Sequence, residues 1–90
     1  MNYYVSCYVE AAQFSSEYFV RLNDATAAYV DRTNVRIKSN LPSHENQQVL
    51  GEVQVYLVTE EADRALIELP GVPVLGGLRT WIQRSELLAA

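Results

Sequence analysis

The sequence predicts a small all-β domain: a barrel or sandwich of about six antiparallel strands, built from two similar three-strand meanders. Residues 3–10 and 51–59 alternate apolar with polar side chains, the pattern of strands with one buried face. Two segments, residues 29–35 and 81–87, also share one order of residue types: aromatic, aliphatic, polar, Arg, hydroxyl, polar, aliphatic. Each segment follows a strand-like run, so the chain resembles two copies of one unit.

The first meander is expected over residues 3–38. After the strand at 3–10, residues 17–22 alternate again, Asn23 and Asp24 form a turn, and 27–31 return as a strand that continues through 35–38. A helix near residues 13–23 is the alternative, because Phe14, Tyr18 and Leu22 follow helical spacing. That helix would make the fold α+β. The aromatic and β-branched run 18–20 favours the strand.

The second meander is expected over residues 49–88, after a polar linker at 39–48. Strands are predicted at 51–59, 64–69 and 78–83, with Pro70 and Gly71 ending the middle one. A short helix or 3₁₀ turn follows at 85–88. Ninety residues suffice for only one core, so residues 1–90 form a single domain in which both meanders share that core.

Composition excludes several classes of protein. The content of 49% hydrophobic and 20% charged residues is ordinary for a globular domain. No apolar run approaches the roughly 20 residues of a membrane helix, and the N-terminus lacks the pattern of a signal peptide, which predicts a soluble cytoplasmic protein. A single cysteine, Cys7, agrees with a reducing compartment and is expected to be buried. The net charge of −4 disfavours nucleic acid as a partner.

Four aromatic residues lie on the polar side of their predicted strands. They are Tyr8, Tyr29, Tyr56 and Trp81. Aromatic rings among polar groups favour a binding surface for a protein partner or for a second copy of the chain, since each ring buries a large area at little entropic cost. The alternative is that these rings pack over the strand ends as part of the core.

Residues 72–78 form an apolar loop in place of the short turn of the first meander. Its side chains Val72, Val74 and Leu75 are expected either to cover the open end of the barrel or to contact a partner. Gly76 and Gly77 permit a tight reversal. No Lys with a following Ser or Thr comes after them, which argues against a phosphate loop.

Groups suited to chemistry are few. Arg32 and Arg84 occupy matching positions of the two segments and could bind an anion, or pair with nearby carboxylates. The only histidine, His44, lies in the polar linker, where exposure is expected. One Cys and one His cannot assemble a zinc site, and the acidic turn at residues 60–63 lacks the spacing of a calcium loop. We therefore expect no enzyme activity, no metal and no cofactor.

The four residues 53–56, Val-Gln-Val-Tyr, resemble the Val-Gln-Ile-Tyr segment of plasmid-borne type II dihydrofolate reductases. Those enzymes are small SH3-like barrels that assemble as tetramers around one pore. The segment lies near the C-terminus in that family, whereas a long stretch of chain follows it here. The resemblance implies a similarity of architecture to SH3-type barrels and no activity or site.

The function expected from the sequence is a non-enzymatic protein-interaction or self-association module, a small soluble domain of bacterial type that forms a homodimer. An alternative is a small-ligand-binding barrel, or an enzyme, with its site at the barrel mouth or at a subunit interface. An adaptor that mimics nucleic acid with acidic surface is less favoured, because Arg21, Arg64 and Arg79 interrupt the negative charge.

Overall fold

Nine antiparallel β-strands and two 3₁₀ turns make up the described part of the chain, residues 2–38 and 47–89 of a computed structural model. The strands are β1 (Asn2–Ala11), β2 (Glu17–Asn23), β3 (Thr26–Asp31), β4 (Val35–Ile37), β5 (Val49–Glu61), β6 (Arg64–Glu68), β7 (Val72–Leu75), β8 (Arg79–Gln83) and β9 (Leu88–Ala89). The first 3₁₀ turn, Arg32–Asn34, joins β3 to β4, and the second, Arg84–Glu86, precedes β9.

The two long strands β1 and β5 pair at the centre of one sheet, whose order is β7-β3-β2-β1-β5-β6-β8. The outer edge of each central strand carries two partners in succession. β1 pairs with β9 near its start and with β2 near its end. β5 pairs with β4 near its start and with β6 near its end.

The sheet is curled into a half-barrel. Three residues, 69–71, connect β6 on one side of the sheet to β7, which pairs with β3 at the opposite end. So short a connection requires the two ends of the sheet to approach each other. The curvature encloses an apolar core of buried side chains.

Alternate residues of the central strands point into this core. Val5 faces Val53 across the ladder between β1 and β5, and each side chain is at most 2% exposed. The largest fully buried side chains come from both halves of the chain: Val9, Val20, Val30, Val53, Val55, Ile67 and Leu69. β-branched residues dominate because they pack well on a pleated surface.

The strands of the two halves pair in corresponding registers. Val5 and Val53 lie at the centre of the β1 and β5 ladder, so that Tyr8 opposite Leu50 corresponds to Tyr56 opposite Asn2. Farther out, Tyr29 lies opposite Phe19, and Trp81 lies opposite Leu66. The 3₁₀ turns also begin alike. Arg32 N–H donates to the Ser16 carbonyl at 3.0 Å, and Arg84 N–H donates to the Asp63 carbonyl at 2.7 Å.

The all-β class predicted from the sequence is confirmed, and the alternative helix at 13–23 is wrong. Residues 17–23 form β2, with Tyr18 and Val20 buried on one face. The strand expected to continue from 27 to 38 is divided by the first 3₁₀ turn, because Asp31 caps it by accepting from Thr33 N–H at 2.9 Å. After this turn the chain no longer runs beside β2 and pairs with β5 instead. The single predicted strand is therefore two strands, β3 and β4.

The predicted linker at 39–48 lies outside the described residues except for its last two positions. The predicted loop at 72–78 contains a strand, β7, that sequence patterning did not indicate. No helix in the described ranges has the length and apolar character required to cross a membrane.

Candidate interaction surface

A group of apolar side chains covers the outer face of the first half. We call it the first-half cluster and define it as Tyr8, Phe19, Tyr29, Leu50 and Val72. Tyr8 faces Leu50 across one ladder, and Tyr29 lies between Phe19 and Val72 across two others. The Phe19 and Tyr29 rings meet edge to face, with their centroids 5.6 Å apart.

The first-half cluster is open to solvent because the opposite faces of β1, β2, β3 and β5 form the core. Tyr8 is 49% exposed, Leu50 55% and Val72 61%. Large apolar residues that lie next to one another on a surface are typical of sites where proteins associate. The cluster is therefore the strongest candidate for a binding surface in the first half.

Two opposite charges lie within the first-half cluster. Arg21 lies opposite Tyr8, and its guanidinium carbon is 5.6 Å from the centre of the Phe19 ring. Glu10 lies opposite Phe19 and accepts a hydrogen bond from the Gln48 side chain at 2.8 Å. Neither charge forms an ion pair with another residue of the described ranges. Both remain available to a partner.

The corresponding surface of the second half consists of Tyr56, Leu66 and Trp81, here called the second-half cluster. The Arg64 guanidinium contacts the Trp81 ring, with its central carbon 4.5 Å from the ring centre. The charges beside it are paired within the chain.

The ion pairs beside the second-half cluster involve residues of β5, β6 and β8. Glu68, which faces Tyr56, accepts from Arg79 Nε at 2.8 Å. The Arg64 guanidinium lies 3.7 Å from a Glu61 carboxylate oxygen. Consequently the charges beside the second-half cluster form ion pairs within the chain, whereas Arg21 and Glu10 form none in the described ranges.

The four predicted aromatics form two pairs instead of one face. Tyr8 lies diagonally across the sheet from Phe19 and hence near Tyr29, while Tyr56 has the same relation to Trp81. Tyr56 lies opposite Asn2, which precedes Tyr8 by six residues on β1. The two tyrosines are therefore roughly 20 Å apart along the strand direction.

A buried carboxylate, Glu52, lies between the two clusters on the outer face. It forms ion pairs with Arg36 at 2.6 Å and Lys38 at 2.8 Å, and the Arg36 guanidinium stacks 3.6 Å from the centre of the Tyr4 ring. These bonds hold the pKa of Glu52 below its usual value, the hydrogen bond from Lys38 having the largest effect. The Glu52 carboxylate and its two cationic partners are therefore paired with one another within the fold.

Strand β7 places the predicted loop residues at the surface beside the first-half cluster. Val72, Val74 and Leu75 are 61%, 51% and 41% exposed, and Leu75 lies opposite Ala27 of β3. The segment thus covers the backbone edge of β3 while its side chains remain accessible. It extends the apolar surface around Tyr29.

The predicted anion-binding pair is divided. Arg32 donates to the Tyr18 hydroxyl at 2.6 Å and to the Ser15 carbonyl at 2.7 Å, whereas Arg84 Nε lies 2.7 Å from a Glu60 carboxylate oxygen. The two arginines follow corresponding strands of the halves, near the far ends of the antiparallel β1 and β5. The geometry does not unite them in one anion site.

The remaining candidate groups are Cys7, clusters of metal-ligating residues and His44. Cys7 is 4% exposed, and burial, together with the charge of Glu52, raises the pKa of its thiol to about 12. No group of three or more His, Cys, Asp or Glu in the described ranges is arranged to hold a metal ion. His44 lies outside these ranges.

A cleft of about 470 Å³ lies between residues of the first half and residues of the second half. It is lined by Val5, Ser6, Leu22, Asn23, Trp81, Ile82, Ser85, Glu86 and Leu88. Thus side chains of β1 and the turn after β2 face those of β8 and the second 3₁₀ turn. Sequence patterning does not indicate this cleft, because its lining residues come from distant parts of the chain.

Sequence reasoning missed four residues of the binding surface: Phe19, Leu50, Arg21 and Glu10. The alternation around Tyr18 and Val20 places Phe19 and Arg21 on the outer face, so that signal was present. Leu50 joins Tyr8 only through the register of β1 with β5, which local patterning does not give.

Comparison with known proteins gives no relative, as the chain matches no protein-family model, no curated protein and no solved structure.

Proposed function

We propose that this chain is a non-enzymatic protein-interaction module that associates with a second copy through the first-half cluster. The observation that carries the proposal is an exposed aromatic and aliphatic surface containing two opposite charges, Arg21 and Glu10, that form no ion pair with the described residues. Its counterpart in the second half has its charges paired within the chain.

A two-fold dimer suits this surface because the same patch meets itself. In such an interface residue i of one copy contacts residue j of the other, and the reverse contact is also made. Arg21 of one copy can then face Glu10 of the other twice, around rings that exclude water. Aromatic residues and Arg are enriched in such interfaces, in keeping with this arrangement.

Charge reversal tests the proposal. Arg21→Glu and Glu10→Arg each place like charges opposite one another in the dimer, and each is expected to weaken self-association about tenfold or more. The double variant restores opposite charges and recovers much of the lost affinity. Sedimentation equilibrium over a concentration series measures the dissociation constant of each protein.

The matched control is the Glu68→Arg, Arg79→Glu double variant, which reverses a pair of the second half. It is expected to leave the dissociation constant unchanged. Equal losses from both double variants, or wild-type self-association in both single variants, would rule out the first-half cluster as the interface.

We further propose a cytoplasmic location and no role in binding nucleic acid. The buried, unpaired Cys7 and the net charge of −4 support these assignments. In a nuclease protection assay, we expect the protein to give DNA or RNA no protection from digestion.

We also propose that the two halves descend from duplication of one unit resembling an SH3-type barrel half. The corresponding registers support this idea, although few residues are identical: Tyr8 with Tyr56, Leu22 with Leu69, and Arg32 with Arg84. Expression of residues 1–46 alone tests it. If the halves descend from one unit, we expect this fragment to form a folded homodimer. A disordered monomer would contradict the proposal that one half was once an independent unit.

A small-ligand-binding barrel is the second candidate, favoured by the cleft of about 470 Å³ beside Trp81. A ligand that binds only the native state raises the melting temperature. A screen with nucleotides, pterins and organic acids is expected to give no shift if the chain is solely an interaction module. A shift that Trp81→Ala removes would instead favour the ligand-binding candidate.

A further inference from the structure

The two halves differ at the turn between their second and third strands. In the first half, two residues separate β2 from β3. In the second half, ten residues separate β6 from β8, and four of them form β7. The longer connection crosses to the first half and pairs with the outer edge of β3, Tyr29 lying opposite Val72.

The corresponding edge of the second half is uncovered. β8 occupies in the second half the place that β3 has in the first, and it ends the strand order without a partner on its outer side among the described residues. Arg84 N–H and the Leu78 carbonyl bond toward the β6 side. Antiparallel ladders alternate, so the backbone groups of Arg79, Trp81 and Gln83 point to the open edge.

The connection also fills a space in the first half that remains empty in the second. Gly71 packs against the Tyr29 carbonyl so closely that an added Cβ would collide with it, and Leu69 is only 1% exposed. The residues that correspond to Tyr29 and Leu69 are Trp81 and Leu22, which line the cleft of about 470 Å³.

We propose that the β8 edge and the adjoining cleft bind an extended apolar segment of a partner protein, in the manner in which β3 binds residues 69–75 of its own chain. The occupant pairs antiparallel with Arg79 and Trp81 and places small aliphatic side chains over the cleft. Free strand edges accept such segments by main-chain hydrogen bonds, with pockets providing specificity. This site is separate from the first-half cluster.

The chemistry of the occupant follows from the segment that covers β3. Residues 69–75, Leu-Pro-Gly-Val-Pro-Val-Leu, carry no charge and have a glycine where the chain passes the Tyr29 carbonyl. A partner segment is therefore expected to be uncharged, aliphatic and extended, with a glycine where it passes Trp81. A second copy is a poorer donor, because its own β7 is already paired.

A synthetic peptide with the sequence of residues 69–78 tests the proposal. It is titrated into the full chain carrying Tyr8→Arg, so that binding is measured whether or not the protein self-associates. The expected result is a saturable change in the fluorescence of Trp81, the only tryptophan, with a Kd below about 1 mM. Amide exchange at Arg79 and Trp81 slows in the same titration.

Two controls make the result specific. The same peptide with Gly71→Ala is expected to bind more weakly, because the added methyl group meets the carbonyl of Trp81. In the protein, Arg79→Pro removes one N–H from the open edge without removing a bond to β6, so it weakens peptide binding at least threefold. Arg79→Ala loses the same pair with Glu68 but keeps the N–H, and it binds normally.

No saturable fluorescence or exchange change up to millimolar peptide overturns the proposal. Equal binding of the native and Gly71→Ala peptides also overturns it, as does an equal loss in the two Arg79 variants. Peptide protection that maps to β3 instead of β8 indicates exchange with the chain's own β7 and counts against the site.

Discussion

At the scale of single residues, two buried groups in the centre of the sheet differ in how they are accommodated. Cys7 has no partner, and burial keeps its thiol neutral. Glu52 is equally shielded from solvent, yet it stays charged because Arg36 and Lys38 cover it. Neither group is available to a substrate. Their ionisation states bear on the stability of the folded protein.

Cys7 is expected to resist thiol reagents in the native protein. A shift of the pKa from 9.0 to about 12 lowers the thiolate fraction at pH 8 by about 1000-fold, and burial blocks access as well. Labelling by iodoacetamide is expected to be slow in buffer and rapid in urea. A Ser6→Cys, Cys7→Ala variant, with its thiol on the exposed side of the same strand, labels rapidly in both. Rapid native labelling of Cys7 would contradict its burial.

Glu52 is expected to stabilise the fold in a pH-dependent manner. Its pKa is lowered in the folded state, so its contribution is complete above the unfolded value near 4.5 and disappears as the pH falls through the folded value. Glu52→Gln should cost about 1–2 kcal/mol at pH 7, since both partner side chains are half exposed and solvent screens them. Urea unfolding at pH 7 and pH 3 measures it. An equal cost at both pH values would refute the explanation.

At the scale of elements, β7 depends on a close backbone approach that only glycine permits. Gly71 has φ of 155°, and a Cβ there meets the Tyr29 carbonyl. Gly71→Ala is expected to destabilise the protein by about 2 kcal/mol and to expose the β3 edge. Gly77 is the control, because a Cβ at that position meets nothing within 4 Å. Gly77→Ala should be near neutral. Thermal unfolding of both variants checks the difference.

The elements that the sequence predicted are those defined by local alternation. Tyr18 and Val20 identify the buried face of β2, and the same pattern places Tyr29 and Trp81 outward. β9 escaped prediction because it is short and pairs with the other half of the chain. β4 was predicted only as a continuation of the strand at 27–31, because its pairing with β5 is nonlocal. β7 escaped because its four residues, Val-Pro-Val-Leu, are all apolar although all are exposed, so the sequence shows no alternation there.

At the scale of the whole molecule, the candidate site could be predicted only in part. Periodicity indicates which side chains face outward, but a surface arises from the register between distant strands, as where Leu50 joins Tyr8. The asymmetry between the halves also depends on long-range contacts. One long connection, between β6 and β8, covers the edge of β3, while that of β8 has no partner among the described residues. A β fold of this kind combines local patterns that can be predicted with nonlocal pairings that cannot.

The molar mass of the protein in solution tests the central claim most directly. Light scattering over a concentration series is expected to give a mass approaching twice the 10.2 kDa of one chain. Tyr8→Arg adds charge to the first-half cluster and should give the monomer mass. Tyr56→Arg changes the corresponding residue, of similar exposure, in the second half and should preserve the dimer. A wild-type chain that stays at 10.2 kDa at every concentration would contradict the account, as would equal behaviour of the two variants.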